Sequence, residues 1–97
     1  MRVITKGTLR SFWAEHCDAE EALKAWYAEA EKAIWKNPAQ VKAKYGSASI
    51  LGNNRVVFNI CGNKYRLVVK CNYAYGTVYI RFIGSHKAYD KINAETI

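Results

Sequence analysis

Apolar side chains recur with two different periods along the chain, and the change of period separates a helical first half from a β-sheet second half. Residues 1–5 predict a short strand. Two apolar series with helical spacing then predict a helix over residues 8–16 and a longer helix over residues 18–35. The segment from Asn37-Pro38 to Tyr45 predicts a third, short helix closed by a glycine.

The start of the second helix carries a recognisable capping pattern. Asp18 is followed three residues later by Glu21, which is the spacing of a capping box, and an apolar series begins immediately afterwards. The acidic residues at this end and the lysines at the other end both suit the helix dipole. We therefore assign these charges a structural role.

Four segments after residue 46 alternate apolar and polar residues with a period of two. Residues 47–51 predict a weak strand, and residues 55–61, 64–71 and 77–83 predict strong strands separated by turn residues. Helices followed by a meander indicate an α+β fold. The length of 97 residues fits a single domain over residues 1–97.

Pairing between the strong strands follows from the turn that joins the first two. If Gly62-Asn63 forms a two-residue hairpin loop, Cys61 lies opposite Lys64 and the register is fixed. One face is then apolar, with these side chains: Val56, Phe58, Ile60, Tyr65, Leu67, Val69, Val78, Ile80 and Phe82. The other face carries Arg55, Asn59, Arg66, Lys70, Thr77, Tyr79, Arg81 and Ile83.

Charge is distributed very unevenly, which bears on the role of the second face. The net charge is +7, and the 58 residues from Lys32 to Tyr89 contain ten Lys or Arg and no Asp or Glu. Such a surface favours a polyanion, and RNA above all, as its partner. We predict an RNA-binding patch formed by Arg55, Lys64, Arg66, Lys70 and Arg81, with Tyr79 as a stacking surface. The alternative is an ordinary solvated sheet face whose lysines and arginines aid solubility.

The segment after the last strand carries the candidate chemistry. In a helical turn, His86, Tyr89 and Asp90 stand at positions i, i+3 and i+4 and share one side. Histidine can take and give a proton near neutral pH, as attack by a 2′-hydroxyl on the adjacent phosphate requires. Arg66 or Arg81 can stabilise the charge that develops on the phosphorus, without a metal. The alternative is a structural turn in which His86 is exposed, Tyr89 packs on the sheet and Asp90 pairs with Lys87 or Arg81.

Other features exclude several classes of protein. Three cysteines, Cys17, Cys61 and Cys71, lack the spacing of a metal site or a disulfide framework, so we expect reduced thiols packed as small hydrophobic residues. His16 and the tryptophans are interpreted as structural residues. The sequence lacks a secretory signal and an apolar run of membrane-spanning length, which predicts a cytoplasmic protein with no cofactor, no metal and no membrane partner.

The same residues resemble those of HigB-type toxins of bacterial toxin–antitoxin systems. The similarity is carried by Val57-Phe58-Asn59, Gly62-Asn63, Tyr65-Arg66-Leu67, Gly84-Ser85-His86 and Tyr89-Asp90, and extends over about residues 1–92. It implies a RelE-like fold, with two N-terminal helices packed on one face of a curved antiparallel sheet and a short C-terminal helical turn. Many RelE-type toxins lack the histidine that this chain has at position 86, and Ser85 stands where a threonine is common.

This resemblance implies an mRNA interferase that cleaves messenger RNA on the translating ribosome, inhibits translation and needs no metal. The implied cleaving residues are Arg66, Arg81, His86, Tyr89 and Asp90, and the implied RNA-binding residues are Arg55, Lys64, Lys70, Tyr79, Lys87 and Lys91. It also implies a HigA-type helix-turn-helix antitoxin, a monomeric free toxin and a hetero-oligomer with the antitoxin. A non-catalytic RNA-binding or ribosome-binding module, neutralised by an acidic partner, is the alternative, and so is a degenerate toxin that no longer cleaves.

Overall fold

The computed structural model describes residues 1–97 and orders them into helices and one five-stranded sheet, confirming the α+β class. The helices are α1 (Lys6–Glu15), α2 (Glu20–Lys32), α3 (Pro38–Lys44) and α4 (His86–Tyr89), with a 3₁₀ turn at Cys17–Ala19. The strands are β1 (Arg2–Ile4), β2 (Ser49–Ile50), β3 (Arg55–Ile60), β4 (Tyr65–Asn72) and β5 (Thr77–Ser85). None of the helices combines the length and apolar character that crossing a membrane demands.

The strands follow the spatial order β1-β5-β4-β3-β2. Strands β2 to β5 pair antiparallel, as the meander predicts. Strand β1 instead pairs parallel to β5, with Arg2 opposite Thr77, so the sheet is mixed and the expectation of a purely antiparallel sheet is wrong at this edge. The parallel pair is possible because helices α1 to α3 and strands β2 to β4 lie between β1 and β5 in the chain and supply the long crossover that it needs.

The predicted register of the central hairpin is confirmed. Arg55 pairs with Lys70, Phe58 with Leu67 and Ile60 with Tyr65. The hairpin closes through a 3.3 Å hydrogen bond from the Lys64 N–H to the Cys61 carbonyl. Gly62 adopts a φ of +68° in this turn, a conformation that glycine accepts without steric cost.

A β-bulge interrupts the regular pairing of β4 with β5. Val68 pairs with Phe82 and Val69 pairs with Ile80, so Arg81 has no partner on β4. The extra residue reverses the alternation beyond it. Phe82 therefore lies with Val57 and Val68, away from the helices, while Ile83 packs against the helix-side core. The predicted faces of Phe82 and Ile83 are both wrong for this reason.

Apolar side chains pack against both faces of the sheet. The larger core lies between the sheet and the helices, and its centre includes Leu9, Leu23, Trp26, Phe58 and Leu67. A smaller group, which we call the second cluster, forms on the opposite face from Val57, Val68 and Phe82. It also includes Leu51, which follows β2, and four residues of the chain's last part: Tyr89, Ile92, Ala94 and Ile97. The face expected to be basic and solvated is thus partly covered by residues 89–97.

Helix boundaries agree only in part with the sequence patterns. The Asn37 side chain caps α3 by accepting a 3.0 Å hydrogen bond from the Gln40 N–H, as predicted. Asp18 does not cap α2, because its carboxylate instead accepts hydrogen bonds from Lys64 and Tyr65. Helix α2 ends at Lys32, where Ala33 becomes extended, three residues earlier than predicted.

The cysteines are free, but only one is packed in the core. Cys71 is buried, and this burial raises the pKa of its thiol to about 11. Cys17 and Cys61 are exposed, so the expectation that all three pack as hydrophobic residues is wrong for these two. Both lie at the end of the molecule where the 3₁₀ turn meets the β3–β4 hairpin, as the contact between the Cys61 thiol and the Asp18 carbonyl shows.

Gly84 allows the Phe82 ring to lie over β5, which predicts a destabilised Gly84→Ala variant. A Cβ at position 84 would lie 2.6 Å from Cζ of Phe82, whose ring belongs to the second cluster. We expect G84A to lower the free energy of unfolding by about 1–3 kcal/mol, measured by urea denaturation. G46A is the control, because nothing lies within 4 Å of a Cβ at that position. Equal stability of the two variants would contradict the prediction.

Candidate nucleic-acid interface and active site

The C-terminal turn is held in a defined position at the end of β5. Ser85 caps α4 by accepting a 3.1 Å hydrogen bond from the Ala88 N–H. The His86 N–H donates to the Lys64 carbonyl at 3.3 Å, which fastens the turn to the β3–β4 hairpin. The turn thus begins at a fixed point of the sheet.

His86 and Asp90 form an exposed pair on this turn. Nδ1 of His86 lies 3.4 Å from Oδ2 of Asp90, and their side chains are 53% and 61% exposed. The separation is slightly longer than a strong hydrogen bond, as is common for catalytic groups without substrate. Because Asp90 contacts Nδ1, Nε2 of the imidazole is left to face a ligand. The pair has the arrangement of a proton-transfer group with an orienting carboxylate.

Tyr89 occupies a different environment from its neighbours. It is half-buried and packs against the second cluster. This contact ties the turn to the apolar part of the sheet face, as the structural interpretation of Tyr89 predicts. Lys87 and Lys91, on either side of it in the chain, are exposed.

Arg66 lies beside the turn. It pairs with Gly84, two residues before His86, and its Nη1 donates a 3.2 Å hydrogen bond to the Asn63 carbonyl. This bond holds the guanidinium at the hairpin end of the face. Among the predicted arginines, Arg66 is the one that the pairing places next to the His86–Asp90 pair.

The other predicted ligands collect at the opposite end of the same face. Lys70 pairs with Tyr79, and Cζ of Arg81 lies 5.9 Å from the centre of the Tyr79 ring. The three residues line a cavity of about 490 Å³. Lys70 follows Arg66 by four residues on β4, which corresponds to about 13 Å along a strand. Arg81 therefore belongs with Lys70 and Tyr79 rather than with His86.

Arg55 has a structural role, which argues against its predicted contact with RNA. Its side chain is only 8% exposed. Nε donates to the Ile97 main-chain oxygen at 3.2 Å, Nη2 bonds to the same oxygen, and Nη1 donates to the Asn53 carbonyl at 2.9 Å. These bonds anchor the end of residues 89–97 to the start of β3.

Lys64 is also turned away from the predicted patch. Its Nζ forms an ion pair with the Asp18 carboxylate, which also accepts a 2.7 Å hydrogen bond from the Tyr65 hydroxyl. The hydrogen bond from Lys64, followed by that from Tyr65, lowers the pKa of Asp18. The contact fastens the hairpin to the 3₁₀ turn before α2. The capping-box spacing of Asp18 did not predict this contact.

Most cations of the sheet face and the turn have no acidic partner. The ion pairs of the structure are Lys24–Glu20, Lys64–Asp18 and His86–Asp90. Arg66, Lys70, Arg81, Lys87 and Lys91 therefore have no carboxylate within 4.0 Å. Since bringing phosphate to such groups displaces no existing ion pair, these five are the cations best placed to bind a nucleic-acid backbone.

Sequence reasoning also missed two polar residues at the cavity beside Lys70. Asn54 and Asn72 line it. Asn72 follows Lys70 by two residues, the spacing of one strand face, and this signal was present in the sequence. Asn54 carries no comparable signal, because it reaches the cavity from the turn before β3.

Comparison with known families identifies the family of this chain. Residues 19–92 match the profile of the HigB toxin family, the RelE-like toxic component of a toxin–antitoxin system. The matched region runs from the start of α2 to beyond the His86–Asp90 pair. No curated protein matches the chain.

The contact of Asp18 with Lys64 and Tyr65 predicts a pH-dependent contribution to stability. A carboxyl whose pKa is lowered on folding stabilises the protein above its ordinary pKa of 3.8, and this stabilisation is lost as the pH falls below that value. Replacing Asp18 by Asn should therefore lower the Tm at pH 7, and the difference from wild type should shrink between about pH 4 and pH 2.

Thermal unfolding monitored by circular dichroism across this pH range provides the measurement. E15Q is the control, because Glu15 is exposed and forms no ion pair. A difference between D18N and wild type that stays constant down to pH 2 would contradict the assignment.

Proposed function

This chain belongs to the HigB family of RelE-like toxins, the toxic components of toxin–antitoxin systems, and we propose that its toxic activity is endonucleolytic cleavage of messenger RNA. The observation that carries this proposal is the exposed His86–Asp90 pair beside Arg66, on a sheet face whose other cations lack acidic partners. Proton transfer and stabilisation of phosphate charge are the two functions that RNA cleavage by its own 2′-hydroxyl needs.

His86 is the proposed general base. Its Nε2 takes the proton of the 2′-hydroxyl, whose oxygen attacks the adjacent phosphorus while the bond to the 5′-oxygen breaks. The leaving 5′-oxygen takes a proton from the imidazolium or from water. The products are a 2′,3′-cyclic phosphate, which can hydrolyse to a 3′-phosphate, and a 5′-hydroxyl. Asp90, 3.4 Å from Nδ1, orients the ring and stabilises its protonated form.

Arg66 is the proposed electrostatic group. The phosphorane formed during attack carries more negative charge than the phosphate, and a guanidinium binds two of its oxygens in a fixed geometry. Arg66 is half-buried, is held by its bond to Asn63 and has no carboxylate competing for it. Its position next to Gly84 places it at the same end of the face as His86.

The remaining cations of the face and the turn, which have no acidic partner, are proposed to bind the RNA strand and the ribosome. Lys87 and Lys91 flank the turn, while Lys70 and Arg81 extend the positive surface towards the start of β3. A net charge of +7 favours association with a particle as rich in phosphate as the ribosome. This positive charge and the membership of the HigB family are the two grounds on which we propose that cleavage takes place during translation. Arg55 and Lys64 are left out, because the structure engages both elsewhere.

A toxin of this family has an antitoxin partner. We propose that the partner is a HigA-type protein with a helix-turn-helix region, and that the free toxin is a monomer that forms a hetero-oligomer with it. Support for these two points comes from the family.

Variants of the proton-transfer pair test the proposal. His86→Gln should reduce cleavage about 100-fold or more, because general acid–base catalysis contributes at least that factor. Asp90→Asn should give a smaller loss, since it removes the orienting charge and leaves the imidazole in place. Primer extension on mRNA in a reconstituted translation reaction measures the new 5′ ends.

His16→Gln is the matched control. His16 is the other histidine of the chain and stacks on Phe12, with ring centres 4.2 Å apart, on the helix side. Wild-type cleavage by H86Q would remove His86 from the mechanism. Translation arrest by the wild-type chain without new 5′ ends would instead support the non-catalytic module that blocks the ribosome.

A further inference from the structure

The cavity at the start of β3 has the size and the wall chemistry of a binding site. Its volume is about 490 Å³, within the usual range of small-ligand pockets. Its walls include Asn54, Lys70, Asn72, Tyr73, Tyr79 and Arg81. They combine aromatic rings, two cations and two amides, and contain no carboxylate.

The β-bulge creates the central feature of this cavity. Because Arg81 is the residue without a partner on β4, its side chain is not held in the cross-strand row of β5. It lies over the Tyr79 ring instead, with Cζ 5.9 Å from the ring centre. Both planar groups belong to the wall of the cavity.

Arg81 and Tyr79 are in contact with each other, so a base can stack between them only if the guanidinium moves away from the ring. A base stacked on both groups needs about 6.8 Å between them, which is twice the 3.4 Å stacking distance of nucleic acids. The Arg81 side chain is exposed, so this movement requires no repacking of the core. Unpaired bases in RNA complexes stack on tyrosine rings and on arginine planes in this manner.

The polar groups near Arg81 and Tyr79 can bind the phosphate and the base edge of a nucleotide. Lys70 is the cross-strand neighbour of Tyr79 and has no acidic partner, so its ammonium is available to a phosphate. Asn72 accepts a 3.1 Å hydrogen bond from the Tyr75 N–H through Oδ1. This bond fixes the amide and leaves its NH₂ group to donate to a base edge.

We propose that this cavity is a subsite for one unpaired nucleotide of the RNA substrate, with its base between Tyr79 and Arg81 and its phosphate at Lys70. The inference rests on the proposed function and adds a base-binding position to it. The subsite lies about 13 Å from Arg66 along β4. This distance corresponds to about four nucleotides of a stacked RNA strand, and to fewer nucleotides if the strand is extended. The bound base is therefore not the one at the cleaved bond.

Binding of a heptanucleotide and its abasic counterpart tests the subsite. Both carry 2′-O-methyl sugars, so the 2′-oxygen has no proton to lose and the strands stay intact. Because stacking on an aromatic residue contributes about 1–3 kcal/mol per base, the wild-type chain should bind the base-bearing strand roughly 5- to 150-fold more tightly than the abasic strand. Fluorescence anisotropy with the full chain gives both dissociation constants.

Variants of Tyr79 give the decisive comparison. Tyr79→Leu should remove most of the preference for the base-bearing strand, while Tyr79→Phe should keep it, since the ring remains. Tyr75→Leu is the matched control, because Tyr75 is 83% exposed and does not line the cavity. Lys70→Gln should weaken binding of both strands by a similar factor, as expected of a phosphate contact.

Unchanged preference in Y79L, or failure of the wild-type chain to bind the heptanucleotide, would overturn the subsite. These outcomes are independent of catalysis, because the strands cannot be cut and H86Q should show the wild-type preference. A chain that shows the preference but makes no cuts in mRNA would contradict the proposed cleavage and leave the subsite standing. If instead the chain cuts mRNA but wild type and Y79L prefer the base-bearing strand equally, the proposed cleavage stands and the subsite is contradicted.

Discussion

The β-bulge opposite Val68 and Val69 determines which residues of β5 reach which face of the sheet, and the candidate site depends on it. Beyond the bulge, Gly84 is in register with Arg66 on the face away from the helices. Uninterrupted alternation would place Gly84 in the helix-facing row and would start the C-terminal turn from the wrong side. One unpaired residue thus brings His86 to the basic face and frees Arg81 to lie over Tyr79.

The sequence was sufficient for the part of the fold that rests on local pattern. A period of two and the Gly62-Asn63 turn were enough for the β3–β4 register, because a one-residue slip would send every core residue to the solvent face. The bulge escaped prediction, since residues 77–82 alternate without interruption and the adjacent apolar residues Phe82 and Ile83 do not by themselves show that Arg81 is unpaired. Packing of Phe82 against Val57 and Val68 accounts for it, and that contact joins segments that are far apart in the chain.

The candidate site was predictable to a similar degree. The position of His86 and Asp90 on one side of a turn follows from their spacing, and Arg66 follows from the register. Arg55 and Lys64 have the same pattern but other roles, because each meets a partner more than 40 residues away in the chain. Charge and periodicity describe which face a residue occupies, whereas its partner depends on the folded arrangement. Asp18 shows the same limit, since a capping-box spacing cannot reveal a competing lysine on a distant hairpin.

The second cluster also constrains how this surface can change. Val57 and Val68 lie in the middle of the basic face, where they hold residues 89–97 in place and are buried. A lysine or arginine at either position would have to bury its charge or release the segment that carries the turn. The density of positive charge on this face therefore has an upper limit set by folding. Tighter attraction for polyanions can evolve at the rim of the face and not at its centre.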